Sequence, residues 1–119
     1  MKILVIRFSS IGDIVLASPV LRCLKMQLDE VEVHFLTKLS FKAVTEANPY
    51  VDKFHYYNEN LRELLFILKK EKFDHVVDLH NNIRSKRIRK ALNRKTDVID
   101  KLTFQKFLLT RLKIGRAHV

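Results

Sequence analysis

The chain has 119 residues, 47% of them hydrophobic and 30% charged, with mean hydropathy near zero, which suits one globular domain and excludes disordered, collagen-like and low-complexity classes. The net charge of +10 is localised: residues 1–83 carry 11 Lys and Arg against 11 Asp and Glu, whereas residues 84–119 carry 12 against 2. No apolar run approaches the roughly 20 residues of a membrane-spanning helix, and the first residues lack the long apolar stretch and cleavage site of an export signal.

Residues 2–8 open with Ile3, Leu4, Val5, Ile6 and Phe8 without strict alternation, the pattern of a strand buried on both faces in a parallel sheet. The polar hinge Ser9-Ser10-Ile11-Gly12-Asp13 leads into Ile14, Ala17, Leu21, Leu24 and Leu28, spaced as one face of a helix. Pro19 either kinks that helix or marks its true first turn with Ser18 as the cap. Residues 32–37 read as a second strand, with Val33 and Phe35 alternating with Glu32 and His34. Residues 40–47 form a short helix closed by Asn48-Pro49, since the residue before a proline resists the helical conformation. Residues 51–57 are a third strand, Asn58 caps an amphipathic helix through Leu61, Leu64, Leu65 and Leu68, and residues 73–79 are a fourth strand centred on Val76-Val77. A helix over 84–93, a short strand over 96–99 and a helix over 102–112 complete the pattern. Strands alternating with helices imply right-handed crossovers and a parallel sheet covered on both faces, a Rossmann-like α/β fold.

In such sheets ligands bind at the carboxyl ends of the strands, so the polar clusters there are the candidate site. The first is residues 9–13. Gly12, one of only two glycines, suggests a tight turn or close approach of a ligand, although the stretch matches neither a dinucleotide fingerprint nor a phosphate loop. Ser10 and Asp13 stand in capping-box spacing. Asp13 at a strand end also suits a general base, kept ionised by the helix's positive pole, and the two roles are compatible. The second cluster is Asp78-Leu79-His80-Asn81-Asn82-Ile83-Arg84-Ser85. Asp78 and His80 share one side of a strand, as a buried hydrogen-bonded pair would, and no third ligand stands at a spacing that supports a metal. In the helix that follows, Ser85, Ile88, Ala91 and Leu92 fall on one arc, with Lys86, Arg87, Arg89, Lys90 and Arg94 opposite as a solvated face. Arg84, at the side of the apolar arc in the first turn, is expected to face the crevice, where it can clamp a phosphate or carboxylate.

Three pieces of the sequence resemble glycosyltransferase family 9, whose best-known members are the ADP-heptose:lipopolysaccharide heptosyltransferases. They are Lys2-Ile3-Leu4-Val5-Ile6-Arg7-Phe8-Ser9-Ser10-Ile11-Gly12-Asp13-Ile14-Val15-Leu16 with Ser18-Pro19-Val20-Leu21, then Asn48-Pro49-Tyr50-Val51-Asp52, then Val77-Asp78-Leu79-His80-Asn81-Asn82-Ile83-Arg84-Ser85, and together they span about residues 1–95. The resemblance implies the amino-terminal half of a GT-B enzyme, a cytoplasmic protein working peripherally on the inner membrane face, with inverting, metal-independent chemistry. Asp13 would be the base that deprotonates the acceptor hydroxyl. Ser9, Ser10, Gly12, His80, Asn82, Arg84 and Ser85 would bind an anionic glycolipid acceptor of the lipid A-core type. The donor, ADP-heptose, would be held by a second domain, and no other cofactor is implied.

Residues 1–112 are thus expected to be the acceptor-binding domain of a truncated protein. Residues 113–119, Lys-Ile-Gly-Arg-Ala-His-Val, can be encoded by AAG ATC GGA AGA GCA CAC GTC, which looks like a sequencing-adapter stretch, and are expected to be a non-native tail. The alternative is a small basic module that binds nucleic acid or another anion without catalysis. Against it, residues 84–119 offer only Phe104 and Phe107 for base stacking, both spaced as core residues. A standalone nucleotide-binding domain is weaker still, for want of phosphate-loop glycines. The single cysteine, Cys23, excludes an internal disulfide and fits a reducing cytoplasm; it and His75 receive no role.

Overall fold

Apolar residues on alternate sides of a central strand divide the core of this protein in two. In the computed structural model, which describes residues 1–28 and 30–98, strand β1 (Lys2–Ile6) sends Ile3 and Val5 to one face of the sheet and Leu4 and Ile6 to the other. All four side chains are at most 3% exposed, so β1 is buried on both sides as its unbroken apolar run requires. On the first face they meet α1 (Ile11–Leu16) and α2 (Ser18–Gln27) through Ile14, Ala17, Val20 and Leu21. On the second they meet α4 (Leu61–Glu71) and α5 (Ile83–Leu92) through Leu64, Leu68 and Ile88.

Around β1 the remaining strands are β2 (Glu32–Lys38), β3 (Lys53–Tyr57), β4 (His75–Asp78) and β5 (Lys95–Val98), all parallel, in the order β3-β2-β1-β4-β5. This is the Rossmann-like arrangement expected. The chain leaves β1 toward one edge and returns by way of α4 to the other side of β1, so the order reverses between β1 and β4.

The local signals act as read in most places and shift in a few. The helical stretch after β1 breaks at Ala17 into two helices, with Pro19 in the first turn of α2. Pro19 therefore marks a true helix start, but Ser18 is the first helical residue and not its cap: Ala17 occupies that position, with no side-chain bond. The helix expected over 40–47 is a 3-10 turn (Leu39–Phe41) followed by the short α3 (Lys42–Thr45). The cap of α4 is Asn60, whose side chain accepts from the Glu63 amide at 3.1 Å, and not Asn58, because the chain first turns through Glu59 in a left-handed conformation. Lys72 and Asn93 close α4 and α5 in left-handed conformations. Asn48 and Asp52 hold the β3 approach: Asn48 Oδ1 accepts from Tyr50 N at 2.9 Å, and Asp52 Oδ2 accepts from Val33 N at 2.7 Å and pairs with Lys25 at 2.6 Å. Ile99, the helix expected over 102–112 and the tail 113–119 lie outside the described residues.

Leu68, fully buried between α4 and the sheet, tests this packing. Leu68→Ala is expected to lower the unfolding free energy by about 2–5 kcal/mol in urea titrations of the chain.

Candidate active site at the β1–β4 crevice

The helices that follow β1 and β4 leave toward opposite faces of the sheet, so the loops between them part and open a crevice at the strands' carboxyl ends. Arg7 lies at its floor. It is the charged residue that interrupts the apolar run of β1, and its side chain is only 10% exposed. A guanidinium buried there needs acceptors, and it finds one in each loop. One terminal nitrogen donates to the Leu79 carbonyl oxygen at 2.6 Å, and the other pairs with Asp13 Oδ2 at 2.7 Å.

Asp13, in the first turn of α1, also accepts from the Ser10 hydroxyl at 3.0 Å and from the Ser10 amide at 3.5 Å, again on Oδ2. The capping role and the crevice position are therefore both present. Burial pulls the carboxyl's pKa up, but the hydrogen bonds from Arg7 and Ser10 and the charge of Arg7 outweigh it and hold the group below the usual aspartate range. The result is an ionised carboxylate that keeps Oδ2 occupied; among the described residues no donor meets Oδ1. Gly12, beside it, has an ordinary helical backbone, and a Cβ there would meet nothing within 4 Å. The expected tight turn at Gly12 is thus absent: the residue fronts open space. Ser9 is half-buried and Ser10 exposed.

The β4 loop is built differently. Asp78 is fully buried and its Oδ1 accepts from the amides of His80 and Asn81, at 2.9 and 2.8 Å, while Oδ2 stands 3.0 Å from Arg89 Nε. The expected Asp78–His80 pair is therefore real but runs through the His80 backbone, because the chain turns sharply enough at Asn81, in a left-handed conformation, to bring the amides over the carboxylate. Arg89 is a second correction. It does not belong to the solvated face: it reaches back across the first turns of α5 to Asp78 and to Asn81 Oδ1 at 3.3 Å. Asn82 caps α5 by accepting from Ser85 N at 2.9 Å, and Ser85 Oγ accepts from Asn82 N at 2.8 Å and donates to its carbonyl at 3.0 Å. Ser85 is completely buried, so both residues shape the loop, and the Ser85 hydroxyl is not on the surface that a ligand meets.

Two groups of this loop remain. His80 is half-buried, edge-on to Phe8 at 5.3 Å, and its Nδ1 is buried with no hydrogen-bond partner among the described residues, which leaves Nε2 as the nitrogen that a ligand could meet. Burial, and then the nearby Arg7 charge, lower its pKa, so the ring is neutral and can accept or donate one bond. Arg84 is exposed, with its guanidinium over the Tyr57 ring at 5.1 Å, and Tyr57 in turn packs on Phe8 at 5.7 Å. The aromatic pair places Arg84 beside the crevice with its donors uncommitted among the described residues. An apolar cavity of about 280 Å³ also opens next to α1, between Val15, Val44 and Phe54; none of Asp13, His80 or Arg84 lines it.

Arg7, Arg89 and Tyr57 were not singled out from the sequence. For Arg7 the signal existed, a lone cation in a run otherwise buried on both faces; Arg89 and Tyr57 take their places through tertiary contacts that no spacing encodes.

Together these features define a Rossmann-like α/β domain with an ionised carboxylate and a basic margin at its ligand crevice. No family model matches the chain. It is 28% identical over 107 residues to lipopolysaccharide heptosyltransferase 1 of Campylobacter coli, an alignment that covers 85% of this chain and 31% of that protein. Among solved structures it is similar to the glycosyl transferase family 9 protein of Veillonella parvula, with TM-score 0.76 and 22% identity over 89% of this chain and 34% of that one. ADP-heptose lps heptosyltransferase II of E. coli gives TM-score 0.71 and 20% identity over 84% of this chain and 30% of that one. E. coli heptosyltransferase WaaC with ADP gives 0.68 and 15% over 84% and 34%. The resemblance carried by the three sequence pieces is thus accompanied by similarity to a heptosyltransferase over most of this chain, and the fold is shared with these solved structures. The chain spans about a third of the length of the relatives it matches.

The electrostatics of Asp13 can be read by NMR. Its side-chain carboxyl carbon is expected to titrate below the ordinary aspartate range, and in Arg7→Met to move up, because burial remains after the opposing cation is lost. Since the folded-state pKa is depressed, this pair stabilises the fold above the unfolded-state pKa and that contribution disappears as pH falls through the folded-state value. A titration unchanged in Arg7→Met contradicts the assignment.

Proposed function

We propose that this chain is the acceptor-side domain of a glycosyltransferase of the lipopolysaccharide heptosyltransferase type, with Asp13 as the catalytic base. The observation that carries the reading is the Asp13 carboxylate, ionised by Arg7 and fixed through one oxygen at the mouth of the crevice. The similarity to heptosyltransferases over most of the chain supports the class of reaction. Oδ1, which meets no donor among the described residues, accepts the proton of an acceptor hydroxyl as the hydroxyl oxygen attacks the anomeric carbon of the donor sugar. The bond from that carbon to the nucleotide's phosphate breaks, its electron pair leaves with the diphosphate, and attack from the opposite side inverts the anomeric centre. A weak base suffices, since the hydroxyl becomes acidic only as the new bond forms.

The acceptor in this reading is an anionic glycolipid of the lipid A-core type at the cytoplasmic membrane face. Arg84 binds its phosphate or carboxylate groups, His80 hydrogen-bonds a sugar hydroxyl, and Ser9, Ser10 and Gly12 leave room for the ring. Lys86, Arg87, Lys90 and Arg94, all exposed, add the positive field that draws an anionic membrane surface. Among the described residues no helix is long and apolar enough to cross a membrane, which is compatible with peripheral attachment. The donor, ADP-heptose, is assigned to the remaining length that the relatives have, with no metal in the chemical step. Asn82, Ser85, Asp78 and Arg89 act as positioning residues for the β4 loop.

The test is Asp13→Asn in a protein that carries this domain together with its donor-binding half. Transfer is expected to fall by about 10²–10⁴-fold with nucleotide binding unchanged. Turnover at the original rate overturns the assignment of the base.

A further inference from the structure

Two buried imidazoles and a carboxylate meet on the α4 face of the sheet, away from the strand ends that form the crevice. His34 on β2 is 0% exposed and His55 on β3 is 5% exposed. Both point to the face that also receives Leu36 and Tyr57, where Phe73 packs edge-on against each ring at 4.9 and 6.1 Å. Glu71, the last residue of α4, closes the group; its side chain is 15% exposed, which leaves an entry from solvent. None of the three takes part in the chemistry above.

Their geometry is specific. His34 Nδ1 and His55 Nε2 are 2.8 Å apart, and Glu71 Oε2 lies 3.6 Å from the first and 3.8 Å from the second. Ligand atoms on a tetrahedral zinc ion are separated by about 3.3 Å, given bonds of about 2.0–2.1 Å. Without metal the 2.8 Å contact is a hydrogen bond between the two rings, and small side-chain shifts that open it to about 3.3 Å let all three atoms share one ion. The buried His34 Nε2 has no hydrogen bond of its own among the described residues, whereas Glu71 Oε2 is met by the Lys53 ammonium. His34 Nε2 stands 3.6 Å from Glu32 Oε2, the place of an outer carboxylate that orients a ligating imidazole through its other nitrogen.

From this we infer that His34, His55 and Glu71 form a binding site for one divalent transition-metal cation of the zinc type, which staples the end of α4 to strands β2 and β3. Two imidazoles and one carboxylate favour zinc or cobalt over magnesium and calcium, which prefer all-oxygen shells. The Lys53 ammonium, 2.8 Å from Glu71 Oε2, is the cation that partners this oxygen without metal, and Lys2 stands 3.5 Å from Oε1. Lys53 is more than half exposed and can swing away as a metal enters. The position of the cluster, at the opposite end of the strands from Asp13, makes the site structural.

The experiment titrates ZnCl₂, and CoCl₂ as a visible probe, into the metal-stripped chain at neutral pH. Expected are one equivalent bound, a four-coordinate cobalt spectrum, a rise in Tm, and no response to MgCl₂. His55→Gln and Glu71→Gln should each weaken binding by at least tenfold, whereas His80→Gln should leave it unchanged. Glu71→Gln decides the matter if His55→Gln fails to fold, since Glu71 is at a helix end. Lys53→Met should tighten binding severalfold, an effect that a purely structural ion pair does not produce. Absence of stoichiometric binding, or binding that survives Glu71→Gln undiminished, overturns the site.

Discussion

A guanidinium buried at the end of the central strand has to be neutralised where it stands, and the site of this protein follows from how Arg7 solves that problem. Removing a charge from water costs several kcal/mol unless a counter-ion and further acceptors replace the lost hydration. Arg7 takes its counter-ion, Asp13, from the loop after β1 and its second acceptor, the Leu79 carbonyl, from the loop after β4. Neither loop can drift without exposing an unpaired group, so two segments that are 72 residues apart in sequence are held in one geometry. The reversal of strand order opens the crevice; Arg7 fixes its walls.

The polar residues around it then divide by what their atoms are doing. Asp78, Asn82 and Ser85 hydrogen-bond the turn that carries them and Arg89 pairs ionically with Asp78, so these residues are engaged in building the β4 loop. Asp13 and Arg84 keep an atom or a whole group unengaged among the described residues, and the half-buried His80 stands beside them with its Nδ1 covered. An ionised carboxylate, a neutral imidazole and a cation steadied on an aromatic ring are the groups on which the proposed binding of an anionic acceptor rests. The site is small because its elements do two tasks: α1 is capped at Ser10 and presents Asp13, so the capping contact and the proposed chemical role share one carboxylate.

How much of this is legible in the sequence depends on whether the determining contacts are local. The strand β1, the alternation that splits its side chains between two cores, and the succession of strands and helices are local patterns, and the parallel sheet follows from them. Caps are local too, but they depend on where the chain bends: Asn60 and not Asn58 starts α4, and Ala17 divides a helix whose apolar spacing runs straight through the break. The least legible parts are long-range. Arg89 belongs to a charged helical face by spacing, yet the buried carboxylate of Asp78 pulls it inward. His34 alternates with Val33 and Phe35 as an ordinary strand residue does, and only the pairing of β2 with β3 and the end of α4 brings it against His55 and Glu71. Asp13 is legible through its motif, but the Arg7 contact that holds it as an anion through Oδ2 is not.

The account rests on Arg7 and Asp13 acting as one unit, and a double-mutant cycle measures that directly. Unfolding free energies of the chain, Arg7→Met, Asp13→Asn and the double variant should give a coupling energy of about 1–3 kcal/mol at neutral pH, with the double variant much less destabilised than the two single losses added together. Losses that simply add would show that the two side chains do not depend on each other, and the link between the loops would then have to be sought elsewhere.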